Sequence, residues 1–171
     1  RLMIQINIPY SKSISNRLLI MHFLSKSTIA LTHLSQADDT LLLKGILEKI
    51  SNQQSTNFHT HNAGTTTRFL IALLSATKGN WQINADERMN QRPIIPLLEA
   101  LKELGAEIKT ESKTKIFPLT IKGKNLQGGK TIEISSTQSS QFLSAIAMIA
   151  PYCEGGLKIK YPENQTSLSY L

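Results

Sequence analysis

The feature that most limits how this chain can fold is a rhyme in its sequence. A strand-like run, a polar turn rich in Ser and Thr, and an apolar helical run follow one another several times. Leu2–Ile8 partly alternates and then meets Pro9, which stops a strand. Ser13–Leu24 has apolar residues at 14, 18, 19, 20, 21, 23 and 24 and reads as a helix with Ser13 as its N-cap. Thr28–Leu34 alternates as a strand, Asp38-Asp39-Thr40 caps a helix through Ile50, and Phe58 centres another strand after the polar loop 51–57. Gly64-Thr65-Thr66-Thr67 leads into a strongly apolar helix through Ala76, closed by Lys78-Gly79 and followed by a strand at Trp81–Ala85. The order to this point is βαβαβαβ. Such a rhyme predicts an α/β (α+β) fold of duplicated units rather than a short-period solenoid.

The second half continues it. A helix is predicted from Pro93 or Ile94 to Leu104, with Pro in its first turn and Gly105 beyond its end. Short strands follow at Glu107–Thr110, Phe117–Lys122 and Lys130–Ile134, then a helix over Ser139–Ile149 and a strand over Leu157–Tyr161. Thr166-Ser167 reads as a helix start that Leu171 cuts off.

Composition narrows the classes. With 40% hydrophobic and 18% charged residues, 171 residues can bury a sizeable core, which excludes extended disorder. The longest apolar run, Phe69–Leu74, is far short of the roughly 20 residues that span a bilayer. Arg1–Gln5 lacks the apolar stretch and small-residue cleavage site of an export signal, and lacks an initiator Met, so trimming of the chain is expected. A single cysteine, Cys153, makes no internal disulfide, so a reducing, cytoplasmic setting is expected.

Nineteen Lys and Arg against twelve Asp and Glu give a formal charge of +7, which calls for an anionic partner. Nucleic-acid modules stripe basic residues along a face and interleave aromatics; here aromatics are 6% and unpatterned. Lys109–Lys130 holds six Lys and one acid, Glu111, and reads as strands and turns with solvated faces. The few Arg are more telling, because Arg17, Arg68, Arg88 and Arg92 stand in polar turns. Ser11-Lys12-Ser13-Ile14-Ser15-Asn16-Arg17 puts a Lys and hydroxyls at a helix N-terminus, where unpaired N–H groups and the dipole favour an anion. Asn62-Ala63-Gly64-Thr65-Thr66-Thr67-Arg68 repeats the device, with Gly64 allowing close approach and Thr65 able to cap. Ser139-Ser140-Gln141 opens a third helix, and Asp86–Pro93 sets Arg88 and Arg92 four apart before a helix. Each turn alone is ordinary capping chemistry; together they point to a small anionic ligand. His59 and His61 have no Cys, Asp or Glu between Phe58 and Arg68 to complete a metal site and read as strand-surface residues, and Cys153 reads as a structural thiol.

Taken in order, these turns, with Asp38-Asp39-Thr40, Arg88-Met89, Arg92-Pro93-Ile94, Ser139-Ser140-Gln141-Phe142 and the looser Ser167 and Tyr170, resemble the 5-enolpyruvylshikimate-3-phosphate (EPSP) synthase family. The resemblance implies the enolpyruvyl transferase fold: two similar domains of repeated βαβαββ units, an inside-out α/β barrel, with the active site between them. Residues 1–10 would be an opening strand and hinge, and 11–171 an incomplete domain from the N-terminal portion, the second domain being absent from this chain. It implies transfer of the enolpyruvyl group of phosphoenolpyruvate to the 5-hydroxyl of shikimate 3-phosphate, releasing phosphate, in chorismate and aromatic amino acid biosynthesis. No cofactor, metal, nucleic acid or membrane is implied, the enzyme is expected to act as a monomer, and this fragment alone is expected to be inactive.

By the same resemblance Lys12 is catalytic and touches both substrates. Ser13, Arg17, Ser139, Ser140, Ser167 and Tyr170 would hold shikimate 3-phosphate, while Asn62, Gly64, Thr65, Arg92 and Gln141 would hold phosphoenolpyruvate with Lys12. Arg68 would support the loop. Tyr10, Thr66, Thr67, Leu168 and Ser169 depart from the family pattern. Two alternatives stay open: a relative acting on UDP-N-acetylglucosamine, which Ser13, Asn16 and Arg17 disfavour, and a basic α/β nucleic-acid-binding module.

Overall fold

A computed structural model describes residues 8–52, 56–133 and 140–161. Two helices come first, α1 (Lys12–Ser25) and α2 (Asp38–Ser51). Then β1 (Asn57–His59), α3 (Gly64–Ala76), β2 (Gly79–Asn84), α4 (Ile95–Glu103), β3 (Glu107–Lys109) and β4 (Leu119–Gly123) make one full βαβαββ unit. Its four strands form a single sheet in the order β1-β2-β4-β3. β1 and β2 are parallel with Phe58 opposite Ile83, and β4 runs antiparallel to both β2 and β3, pairing Ile121 with Trp81 and Ile108. The unit then starts again: β5 (Lys130–Glu133), α5 (Ser140–Ile149) and β6 (Leu157–Lys160) form a βαβ half, with Ile132 opposite Ile159 in parallel register.

The core sits on one face of the sheet. β4 buries Leu119, Ile121 and Gly123 and exposes Thr120 and Lys122, the alternation of an antiparallel strand with one wet face. α3 lies over that inner face and also packs on α1, α2, α4 and α5. Eleven of its thirteen residues are buried, which explains why its sequence is apolar on every side. Its interior hydroxyls stay satisfied by bonding back along the helix, as Ser75 does to the Ile71 carbonyl at 2.7 Å. Truncating a fully buried residue of this helix such as Leu70 to Ala is worth about 2–5 kcal/mol.

Several local expectations change. The N-cap of α1 is Ser11, whose hydroxyl accepts from the Ile14 amide at 3.3 Å, while Ser13 lies inside the first turn. Ser11, Ser13 and Ser15 alternate, so spacing alone does not choose among them; Ser15 is turned inward and accepts from the Ser35 amide at 2.8 Å. Ala37, not the Asp38-Asp39-Thr40 run, caps α2. Asp38 and Asp39 fall in its first turn, where the dipole favours them, and buried Thr40 donates to Asn16 Oδ1 at 2.8 Å. Thr28–Leu34 is not a strand: no strand pairs with it among the described residues, and alternation supplies no pairing partner by itself. Glu87–Gln91, read as a turn, winds into a short 3₁₀ helix. The strand expected at Leu2–Ile8 and the helix start at Thr166-Ser167 lie outside the described residues, apart from Ile8 itself.

Candidate functional site

The helix starts are tied to one another. Lys12, in the first turn of α1, pairs with Asp39 in the first turn of α2 at 3.0 Å. Thr66, in the first turn of α3, donates to the Asp39 carbonyl at 2.9 Å. Arg68, one turn into α3, donates through Nη1 to Gln141 Oε1 at the start of α5 (2.8 Å) and through Nη2 to the Pro93 carbonyl just ahead of α4 (3.5 Å). Arg17 runs from α1 to α5: Nη1 donates to the Ser13 carbonyl at 2.9 Å and Nη2 to Ser144 Oγ at 2.7 Å. The Arg17 guanidinium lies 5.3 Å from the Phe69 ring centroid, and the Arg68 guanidinium 5.2 Å from that of Phe142. The N-terminal ends of α1, α2, α3 and α5, with the approach to α4, therefore meet at one end of the molecule. Each helix start brings the positive end of its dipole there.

α3 forms the middle of this face. Its N-cap is Ala63, which has no side chain able to cap it, and among the described residues no side-chain cap bonds its first-turn amides. Over that turn stand two guanidiniums: a Cβ on Gly64 would lie 2.6 Å from Arg92 Nη1 and 3.0 Å from Arg68 Nη1. Only glycine leaves that room. Arg68 is 6% exposed, and its Nε is buried with no partner among the described residues. Burial, and secondly the charge of Arg92, lower its pKa, yet a guanidinium remains cationic at neutral pH. Two like charges at the positive end of a helix repel one another and the dipole. An anion relieves both costs, and phosphate or carboxylate fits the guanidinium fork.

The expected site residues fall into three groups. Lys12, Ser13, Arg17, Gly64, Thr65, Arg92, Ser140 and Gln141 stand at the gathered helix starts. Thr65 is not a cap, because α3 begins one residue before it. Asn62 stands just ahead of α3 and donates to Asp86 Oδ2 at 2.7 Å. Ser139, Ser167 and Tyr170 lie outside the described residues. Arg68, read as a support for the loop, bonds Gln141 and the Pro93 carbonyl. The β-branched departures are accommodated: besides the Thr66 bond, the Thr67 hydroxyl lies 2.8 Å from both the Thr60 hydroxyl and the Ala63 carbonyl. Tyr10 packs edge-on against His33, ring centroids 5.2 Å apart.

The sequence reading missed the contact between Asp39 and Lys12, 27 residues apart, and the approach of Asp86 to His59 and His61. Neither had a local signal; the second depends on the parallel register of β1 and β2, which sets His59 opposite Asn84. Cys153 is buried, its Sγ near the Ile149 carbonyl at 3.5 Å, and burial pushes its thiol pKa up, as suits a neutral packing residue. A cavity of about 680 Å³ opens between α1 and α2, lined by Leu19, Phe23, Leu31 and Leu47 among others; none of the expected site residues lines it. No helix among the described residues is long and apolar enough to cross a membrane.

Comparison with known proteins adds to this geometry. The family model described as EPSP synthase (3-phosphoshikimate 1-carboxyvinyltransferase) matches residues 33–169. A 3-phosphoshikimate 1-carboxyvinyltransferase of Bacteroides fragilis (strain YCH46) is 42% identical over 167 residues, covering 97% of this chain and 39% of the relative. One of Shewanella sp. (strain ANA-3) is 36% identical over 189 residues, covering 98% and 44%. A solved structure of EPSP synthase from Acinetobacter baumannii superposes with a TM-score of 0.76 at 21% identity, covering 95% of this chain and 41% of that one, and is alike in fold. The chain spans about two-fifths of the length of these relatives.

Proposed function

Because the chain belongs to the EPSP synthase family, we propose that it forms one wall of an active site that transfers the enolpyruvyl group of phosphoenolpyruvate to the 5-hydroxyl of shikimate 3-phosphate. In that reaction the 5-hydroxyl gives up its proton to a general base as its oxygen bonds to C2 of phosphoenolpyruvate, and C3 takes a proton from a general acid. The tetrahedral adduct then loses C3 proton and phosphate together, restoring the vinyl group. Both substrates carry phosphate and carboxylate, so positioning and fixed positive charge do most of the work. The observation that carries this reading is the uncapped start of α3 beneath the Arg68 and Arg92 guanidiniums.

Phosphoenolpyruvate sits there, held by the first-turn amides of Gly64 and Thr65, by Arg92, and by Gln141, which Arg68 keeps in place. Asn62 shapes the approach to that turn. Shikimate 3-phosphate lies along the starts of α1 and α5 on Ser13, Arg17 and Ser140; Ser139 and Ser167 also bind its phosphate, and Tyr170 lines its ring. Lys12 stands between the two ligands. Asp39 holds its ammonium in place until the substrates' anionic groups compete for it, and it then polarises the enol ether and the developing charge. The general acid/base carboxylates and the facing wall of the cleft belong to residues beyond these 171, in keeping with the share of the relatives' length that the chain spans. The working enzyme is cytoplasmic and monomeric.

In the complete enzyme, Lys12→Ala and Arg17→Ala should each lower kcat/KM by roughly 10²–10³, the scale of losing one preorganised charge contact. Lys113→Ala should leave it unchanged. Equal effects of the three substitutions would remove the site assignment. The isolated 171-residue chain should bind shikimate 3-phosphate weakly and release no phosphate from the substrate pair; turnover by it would show that the site is complete without a second wall.

A further inference from the structure

Just ahead of the start of α3, three metal-ligating groups come together where β1 and β2 end. One ligand atom from each of His59, His61 and Asp86 lies within 4.8 Å of the other two. His59 Nε2 is 3.9 Å and His61 Nδ1 3.8 Å from the same carboxylate oxygen, Asp86 Oδ1, and the imidazole centroids are 4.4 Å apart. The backbone builds this arrangement. His59 faces Asn84 across the parallel pair, the Thr60 amide donates to the Asn84 carbonyl at 2.8 Å, and the Asp86 amide donates to the His61 carbonyl at 3.2 Å. His61 adopts a left-handed φ of 49°, a conformation a residue with a Cβ takes at a cost. Asn62 donates to Asp86 Oδ2 and so orients the carboxylate with Oδ1 toward the rings.

We propose that His59, His61 and Asp86 bind a divalent transition cation of the zinc type (Zn²⁺, Ni²⁺ or Cu²⁺), with water filling its remaining positions. Two imidazoles and one carboxylate form a donor set that suits these borderline ions and not Mg²⁺ or Ca²⁺, which take oxygen ligands. Tetrahedral coordination at about 2.1 Å sets donors roughly 3.4 Å apart, so the three groups close by less than about 1.5 Å. The side chains are 47%, 64% and 40% exposed and rotate freely enough to do this. His59 Nδ1 accepts from the His61 amide at 3.1 Å, which puts the neutral ring's proton on Nε2. On metal binding that proton moves to Nδ1, the ring gives up the amide, and Nε2 lends its lone pair to the cation. His61 binds through Nδ1 and keeps its proton on Nε2. Neutral rings release no net proton. The cation clips the 60–63 segment to the end of β2, and nothing in this depends on the transferase reading.

Calorimetric titration of ZnCl₂ and NiCl₂ into the tag-free protein tests the site, with MgCl₂ as the control. One saturable equivalent of Zn²⁺ with micromolar affinity is expected, and no Mg²⁺ uptake. His61→Asn, which tolerates the left-handed backbone, and Asp86→Asn, which can still accept from Asn62, should each weaken Zn²⁺ binding at least about tenfold. His33→Ala should change nothing. NMR should show Zn²⁺ shifting the His59 and His61 imidazole signals and sparing those of His22 and His33. Metal-free melting curves confirm that the variants fold. Failure of Zn²⁺ to saturate the folded protein, or uptake indifferent to both substitutions, overturns the proposal and leaves an ion-pair cluster only.

Discussion

Two parts of the molecule carry most of its excess positive charge, and they use it in opposite ways. Between residues 109 and 130, Lys109 and Lys122 stand on the wet face of the sheet and the other lysines in its loops and in β5, and four of them pair locally: Lys122 and Lys124 with Glu107, Lys115 with Glu111, and Lys130 with the Glu103 carbonyl. These partners are largely exposed, and such pairs are worth about 0–1 kcal/mol. At the gathered helix starts, Arg68 is buried beside Arg92 at the positive end of α3, where burial, the like charge and the dipole make its charge costly even with its bonds to Gln141 and the Pro93 carbonyl. The contrast teaches that the cost of a charge, more than the number of charges, marks a binding site.

Glycine substitutions sharpen the contrast, because a Cβ added in each region meets a different kind of neighbour. Gly123 stands between Lys122 and Lys124, and a Cβ there would meet backbone, 1.8 Å from the Thr77 carbonyl oxygen and 2.3 Å from that of Leu74. Backbone does not yield cheaply, so Gly123→Ala should cost about 1–3 kcal/mol of stability or more, read as a lowered melting midpoint. Gly64→Ala meets instead the mobile end of Arg92. Its stability should fall by less than about 1 kcal/mol while phosphoenolpyruvate affinity drops about tenfold, measured by titration. A Gly64 variant that loses stability as Gly123→Ala does would break the distinction.

The smallest effect belongs to Glu107. A hydrogen bond from Lys124, then the charges of Lys122 and Lys124, hold its carboxyl below the ordinary 4.5. A depressed carboxylate adds stability above its unfolded pKa and loses it as pH falls through the folded value. Glu107→Gln should therefore be the less stable protein, if measurably, by a constant margin above about pH 4.5, and the gap in melting midpoint should shrink as pH falls below that value. A deficit that does not shrink on acidification would point to packing rather than charge.

How much of this was legible in the sequence follows from the range of each interaction. α3, α4 and α5 stood out because apolar periodicity and Gly or Pro punctuation are local. The βαβαββ unit was an implication of the family resemblance, which the observed element order matches. The caps of α1 and α2 shifted by one or two residues, since adjacent hydroxyls and carboxylates compete for the same role. The run at 28–34 misled because alternation marks which side chains can turn inward and says nothing of a neighbouring strand. At the site, the turns themselves were readable as hydroxyl and basic residues before helices. Their convergence on α3, the tether of Lys12 by Asp39, and the meeting of Asp86 with His59 and His61 join residues 25 or more positions apart and needed the fold.

The central claim is that small phosphorylated anions are held by the guanidinium-covered start of α3 and not by the lysine-rich sheet. Titration of phosphoenolpyruvate into the complete enzyme carrying Arg92→Ala, beside one carrying Lys122→Ala, tests it most directly. The account predicts at least a tenfold weaker Kd, about 1.4 kcal/mol, for Arg92→Ala and an unchanged one for Lys122→Ala. Equal affinities for the two variants, or a larger loss with Lys122→Ala, would contradict it.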